Sequence, residues 1–280
     1  MHKAIAMLKF AETHHLNQIA NMMIRKYCLA AVALLSILIG EQAKAAETVA
    51  IAPISSKDSV EMQLSEPGPF HWRQLIAPAA LIAAGTACAI DYDHGINKEV
   101  NDWISSSKHH NSVDDYLRFV PSAGYLAMGW LGIKAKHSTT DRLLVFATSH
   151  AAMLAMGYGL KAVVDEWRPN HEDEDAMPSG HALLSFTGAE LIREEYGNYW
   201  GLGSYAIATA TAVLRLHNNA HWLGDVLMGA GMGALSARIG YWLLPLERKW
   251  LGIDKKNNVA IIPSYNGYNH AMGLGLVAVF

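Results

Sequence analysis

Three short segments concentrate the residues able to do chemistry: Lys161–Pro169, Pro178–His181 and Arg215–Asp225. They read K-A-V-V-D-E-W-R-P, P-S-G-H and R-L-H-N-N-A-H-W-L-G-D. Together they supply three cations (Lys161, Arg168 and Arg215), a Ser179-Gly180 turn, and the histidines His181 and His221, the second followed four residues later by Asp225. Such a set can hold a phosphoryl group and attack it without a metal. Fixed cations neutralise the equatorial oxygens, and backbone and hydroxyl donors complete the cradle. One histidine attacks and another protonates the leaving oxygen.

Each residue takes a role from its chemistry. His221 and Asp225, at i and i+4, are neighbours on one helix face, where a carboxylate keeps one imidazole nitrogen protonated and frees the other to attack. His221 is therefore the candidate nucleophile and His181 the candidate general acid. Pro178-Ser179-Gly180 reads as a tight turn into a helix, offering N–H groups and the Ser179 hydroxyl to an anion. Lys161 and Arg168 stand two helical turns apart, one a point charge and the other a planar bidentate donor. Singly, these are a helix-capping His–Asp pair, a turn and charges snorkelling at an interface. That plainer reading does not account for three cations in register with two histidines. His217 and His221 are spaced H-x3-H, which could suit zinc with Asp225. The glutamate of H-E-x-x-H is absent and the surrounding cations oppose a dication, so neither metal nor other cofactor is expected. His109, His110 and His150 have no evident partners and default to surface and core.

The elements that must position these residues are apolar helices: Leu75–Ile90, Phe119–Ile133, Leu143–Leu160, His181–Ile192, Trp200–Leu216 and Asp225–Leu244. Most are at or below the length that spans a bilayer. Their small residues, as in Gly229-Ala230-Gly231-Met232-Gly233, permit close helix packing. The expected fold is all-α, an antiparallel bundle of about six helices, membrane-associated, with a small C-terminal β-hairpin. If the helices alternate up and down, all three motifs meet at one end. The polar stretch Asp91–Arg118 reads as a surface excursion with one short helix, and the acidic run Glu172–Asp175 as a solvated loop. Residues 258–280 alternate at Met272, Leu274, Leu276, Ala278 and Phe280 after an Asn266-Gly267 turn, which predicts the hairpin packed on the bundle.

Hydrophobic residues make up 51% of the 280 and charged ones only 17%, below the usual quarter or so of soluble domains. This leans toward a membrane, moderated by a mean hydropathy of +0.12. A net charge of −3 and the lack of a basic stripe give no reason to expect nucleic acid. Ile24-Arg25-Lys26-Tyr27, the apolar Cys28–Gly40 and the small-residue ending at Ala45 describe a secretory signal peptide over 23–45, cleaved after Ala45. With Cys28 in that signal, Cys88 alone cannot form an internal disulfide and reads as a packed helix residue. The domains expected are an extension and signal over 1–45, an irregular lead-in over 46–72, a helical domain over 73–250 and the hairpin over 251–280.

The motif spellings resemble the signature of the type-2 phosphatidic acid phosphatase/vanadium haloperoxidase superfamily: Lys-x6-Arg-Pro, Pro-Ser-Gly-His and Ser-Arg-x5-His-x3-Asp. All occur in order between Lys161 and Gly233. One departure is Leu214, where the family usually has serine before the arginine. The resemblance implies a phosphatase acting on a phosphate monoester or diphosphate of a lipid through a phosphohistidine, with the membrane and a phosphorylated lipid or small phosphate ester as partners. A soluble periplasmic acid phosphatase, a vanadate-dependent haloperoxidase and a non-catalytic membrane protein retaining the fold are the alternatives. Lys and Arg gather at the helix ends away from the motifs, which places the site on the periplasmic or external side of the cell envelope. A cleaved signal followed by six full spans would turn the site inward. Either one stretch does not span, or the signal is not one, or the bundle lies on the membrane.

Overall fold

The computed structural model describes residues 70–90, 93–105, 112–253 and, for the backbone, 258–266 and 271–279. The expected signal peptide and nearly all of the lead-in lie outside the described residues, as do His109 and His110. A 3-10 turn at Trp72–Leu75 opens into α1 (Ile76–Ala89). There follow α2 (Gly95–Ile104), α3 (Val113–Leu117), α4 (Val120–Trp130), α5 (Thr139–Lys161), α6 (Gly180–Tyr196), α7 (Asn198–His217) and α8 (Leu223–Trp250). The fold is all-α, a helical bundle. Strands β1 (Asn258–Asn266) and β2 (Ala271–Val279) pair antiparallel, Asn258 opposite Val279 and Asn266 opposite Ala271.

Local chemistry sets the helix ends. Ser138 caps α5, its hydroxyl accepting the Asp141 N–H at 3.2 Å, and Lys161 lies in the last turn where a cation suits the dipole. At the start of α8, Asp225 accepts the Trp222 N–H at 2.8 Å. Helix α8 is the axis of the bundle, with α1, α5 and α6 packed around it. Its glycines allow this approach. A Cβ on Gly229 would stand 2.7 Å from the Ser179 carbonyl oxygen, and one on Gly231 the same distance from that of Pro78. Leu183, Met153, Met177, Met228 and Met232 fill one part of the core; Phe186, Ala189, Ala208, Ala212 and Val226 fill another.

The stretch 91–118 is not the surface excursion with one short helix that its polarity suggests. It carries two helices, and Asn97 and Asp114 within it are fully buried. Asn97 donates its amide to the Cys88 carbonyl at 3.1 Å and accepts the Gly224 N–H at 3.0 Å, tying the end of α1 to the start of α8. Polar residues are buried here because each finds a partner. His150, half-buried in α5, likewise has partners: Ser122 Oγ at 3.1 Å and the Phe146 carbonyl at 2.8 Å.

Candidate active site

Lys161 ends α5, Gly180 begins α6, Arg215 lies in the last turn of α7 and Asp225 in the first turn of α8. The loop from Ala162 to Ser179 folds back on itself to bring the first two motifs together. The Glu166 N–H donates to the Glu174 carbonyl, and the N–H groups of Ala176 and Arg168 donate to the carbonyls of Glu166 and Asp173, each at 3.0 Å. The Ser179 N–H reaches the Asp225 carbonyl at 3.0 Å, joining the second motif to the third.

His221 is 2% exposed, with Nδ1 3.3 Å from Asp225 Oδ2. Burial, followed by the positive charges of Arg215, Arg168 and Lys161, holds its pKa well below the ordinary histidine value; a hydrogen bond with the Ala176 backbone opposes them. The ring is therefore neutral at pH 7, the form a nitrogen nucleophile needs. That three cations from α5, the loop and α7 all bear on one imidazole shows that the motifs converge.

His181 lies nearby with Nε2 2.9 Å from Asp115 Oδ1 and Nδ1 3.5 Å from Arg118 Nη1. Burial and then Arg215 push its pKa down to about 4, against the pull of Asp115. Ser179 is fully buried, and its hydroxyl has no hydrogen-bond partner among the described residues. Gly180, by contrast, is exposed at the head of α6.

Each cation of the cradle is held by an oxygen of the chain. Arg215 Nη1 donates to Asp114 Oδ2 at 2.8 Å, and Asn218 donates to Asp114 Oδ1 at 3.1 Å. Arg168 Nε lies 2.8 Å from Asp173 Oδ1, and the Lys161 ammonium donates to the Asp175 carbonyl. The acidic run 172–175 is thus more than a solvated loop, because Asp173 neutralises Arg168. Asp114, Asp115, Arg118 and Glu166 are the site residues that the motif reading missed. Only Glu166, a carboxylate set between two motif cations, left a sequence signal.

The H-x3-H set does not assemble a metal centre among the described residues. The donor atoms that do approach, within 4.8 Å of one another, belong to Asp114, Asp115 and His181. Asp114 is already taken by Arg215 and Asn218, and Asp115 by His181. Leu214, in the position where serine is usual, is half-buried in the last turn of α7. Leu214→Ser is expected to fold at a cost of about 1 kcal/mol, with kcat/KM for a phosphate ester equal to or above the parent's. Complete loss of activity in folded protein would show that the local packing has been rebuilt around leucine.

The chain is similar to several known proteins. The chain is 31% identical over 148 residues to a lipid A 1-phosphatase of Porphyromonas gingivalis, covering 51% of this chain and 33% of that protein. It thus spans about a third of that relative's length. It is 26% identical over 164 residues to the bacitracin transport permease protein BcrC of Bacillus licheniformis, covering 52% and 79% of the two chains. The crystal structure of Aquifex aeolicus LpxE aligns with 53% of this chain and 96% of its own, at a TM-score of 0.39 and 18% identity. Residues 142–249 match the PAP2 superfamily, and that span holds every residue of the three motifs. By this match and these motifs, the region 142–249 that carries the site resembles the PAP2 superfamily.

Proposed function

We propose that this protein hydrolyses a phosphate monoester or diphosphate of a lipid through a phosphohistidine at His221, without a metal. The observation that carries the reading is a buried, neutral His221 ringed by Arg215, Arg168 and Lys161, with Asp225 behind it. Asp225 faces Nδ1, so Nε2 attacks phosphorus: a P–N bond forms and the bond to the leaving oxygen breaks. His181 gives that oxygen its proton. It then accepts one from the water that attacks phosphorus, breaks the P–N bond and releases phosphate. The substrate itself adjusts His181. Its negative charge offsets Arg215, which depresses the His181 pKa in the free protein, and so favours the protonated ring.

Binding on this scheme is an exchange. Phosphate oxygens take over Arg168 from Asp173 and Lys161 from the Asp175 carbonyl, while the unpartnered Ser179 hydroxyl supplies a donor. Three supports favour a lipid. The relative from Porphyromonas gingivalis is named a lipid A 1-phosphatase. Among the described residues one helix, Thr139–Lys161, is long and apolar enough to cross a membrane. Large apolar side chains stand exposed near the site, at Trp103, Tyr116, Tyr158 and Val163, and near the far ends of the helices, at Trp72, Trp130 and Trp250, as aromatic residues do at the two interfaces of a bilayer.

An outward-facing site is part of the same reading. Lys134, Lys136 and Lys249 lie at the end away from the motifs. Arg142, Arg193 and Arg248, also there, are engaged by Tyr196, Glu190 and Asp141, so the exposed lysines weigh most. Assay of the purified full chain against phosphatidate, a prenyl diphosphate, lipid A and p-nitrophenyl phosphate tests the substrate class. Activity confined to the last would point to small esters instead. EDTA is expected to leave turnover intact and vanadate to suppress it. Loss with the chelator and return with zinc or magnesium would overturn the metal-free mechanism.

A further inference from the structure

The first motif contains a carboxyl that phosphate binding does not explain. Glu166, between Lys161 and Arg168, is 2% exposed, and Asp225 is fully buried. The two lie within hydrogen-bonding reach of one another. Asp225 Oδ2 is occupied by the Trp222 N–H at 2.8 Å and by His221 Nδ1 at 3.3 Å. Asp225 Oδ1 and Glu166 Oε1 are both buried, and neither finds a donor among the described residues. Two carboxylates cannot both stay charged in contact and out of water, whereas one carboxylic acid donating to one carboxylate satisfies both orphaned oxygens.

We propose that Glu166 and Asp225 hold a single proton between them, making Glu166 the positioning residue that fixes Asp225 behind His221. Burial raises both carboxyls, Glu166 to about 9 and Asp225 to about 7, so Glu166 is the stronger holder of the shared proton. The Glu166 backbone shares the task. Its carbonyl accepts the Ala176 N–H at 3.0 Å, and the Ala176 backbone also hydrogen-bonds the His221 ring. The charged groups facing this cluster are Lys161 at the end of α5, Arg168 in the loop and Arg215 in α7. Burial lowers the Lys161 pKa, so the alkaline limb that belongs to the pair is the one that moves when Glu166 is changed. The alkaline loss of the shared proton is then the event that disturbs His221: above about pH 9 two buried carboxylates repel and Asp225 is pushed out of line.

The role of Glu166 in turnover rests on the proposed phosphatase reading; the shared proton does not. Infrared spectroscopy of the full chain at pH 7 is expected to show a protonated-carboxyl band that is missing in Glu166→Gln and in Asp225→Asn. A wild-type spectrum without such a band overturns the proposal whatever the enzyme hydrolyses. In kinetics, Glu166→Gln keeps a neutral donor and is expected to retain kcat at pH 7 within about threefold. Its alkaline limb should move to higher pH, since an amide cannot ionise. Glu166→Ala, lacking the donor, is expected to lose kcat by about ten- to a hundredfold with KM little changed. An unshifted alkaline limb in folded Glu166→Gln, or full kcat in Glu166→Ala, would also overturn it. No turnover of any phosphate ester by wild type, with the infrared band present, would sink the phosphatase reading alone.

Discussion

His221→Ala is expected to lower turnover by about five powers of ten, the loss seen when an activated nucleophile is deleted. The ring lies in a loop ahead of α8, and among the described residues its side-chain hydrogen-bond partner is Asp225 at 3.3 Å. His181→Ala should behave differently. On the proposed mechanism it protonates the leaving oxygen, so ester substrates with poor leaving groups should suffer most. With p-nitrophenyl phosphate the leaving group needs little protonation, and the phosphoenzyme still forms and accumulates. Asp225→Asn should fall between the two, because the amide occupies the same space but cannot support the same tautomer of the ring. The decisive measurement is transfer of labelled phosphate, quenched at alkaline pH because phosphohistidine is acid-labile, followed by peptide mapping. Label on the tryptic peptide Leu216–Arg238 in wild type and none in His221→Ala is the expected result. Label elsewhere, or full activity of the alanine variant, would overturn the assignment.

The pH behaviour follows from the same environment. Burial and three cations lower the pKa of His221, so its neutral form persists well below the pH at which an exposed histidine protonates. Turnover should consequently extend into the acid range without an inflection near pH 6.5 from the nucleophile. An inflection there that disappears in His181→Ala would belong to the general acid of the enzyme–substrate complex.

What could be read from the chain was whatever depends on local spacing. Six apolar stretches mark α1, α4, α5, α6, α7 and α8 to within a few residues, because continuous apolar runs of helical length are the mark of helices packed in a bundle. The meeting of the motifs also followed, since antiparallel neighbours bring the end of one helix to the start of the next. Long-range pairings left no such trace. Nothing in the polar stretch 91–118 announces that Asp114 will bond Arg215, 101 positions away, or that Asn97 will cap α8 at Gly224. A buried aspartate and a solvated one look alike in sequence; only the partner, contributed by another element, distinguishes them. Glu166 was overlooked for a related reason. Motif spelling draws attention to the cations Lys161, Arg168 and Arg215, whereas Glu166 is marked out only by its contact with Asp225.

Asp114→Ala should be among the most destabilising single substitutions in the helical region. Asp114 is fully buried and its partner Arg215 only 8% exposed at the side chain. Truncation strands the guanidinium and the Asn218 amide together, in a place water does not readily reach. Removing one partner of a buried ion pair costs about 3–5 kcal/mol, and losing the Asn218 hydrogen bond adds about 1 kcal/mol more. Asp115→Asn, one residue on, is the informative contrast. Asp115 is half-exposed and holds His181 Nε2 at 2.9 Å, so its replacement should leave stability nearly unchanged while lowering kcat on substrates with poor leaving groups. Denaturant unfolding of both variants, followed by circular dichroism beside a kinetic assay, separates the two effects. If Asp114→Ala unfolds at the wild-type midpoint and Asp115→Asn does not, the buried pair is not what fastens α3 to α7. If the midpoints fall as expected, a carboxylate already aims Arg215, and on the proposed mechanism the substrate phosphate must compete with Asp114 for its donors.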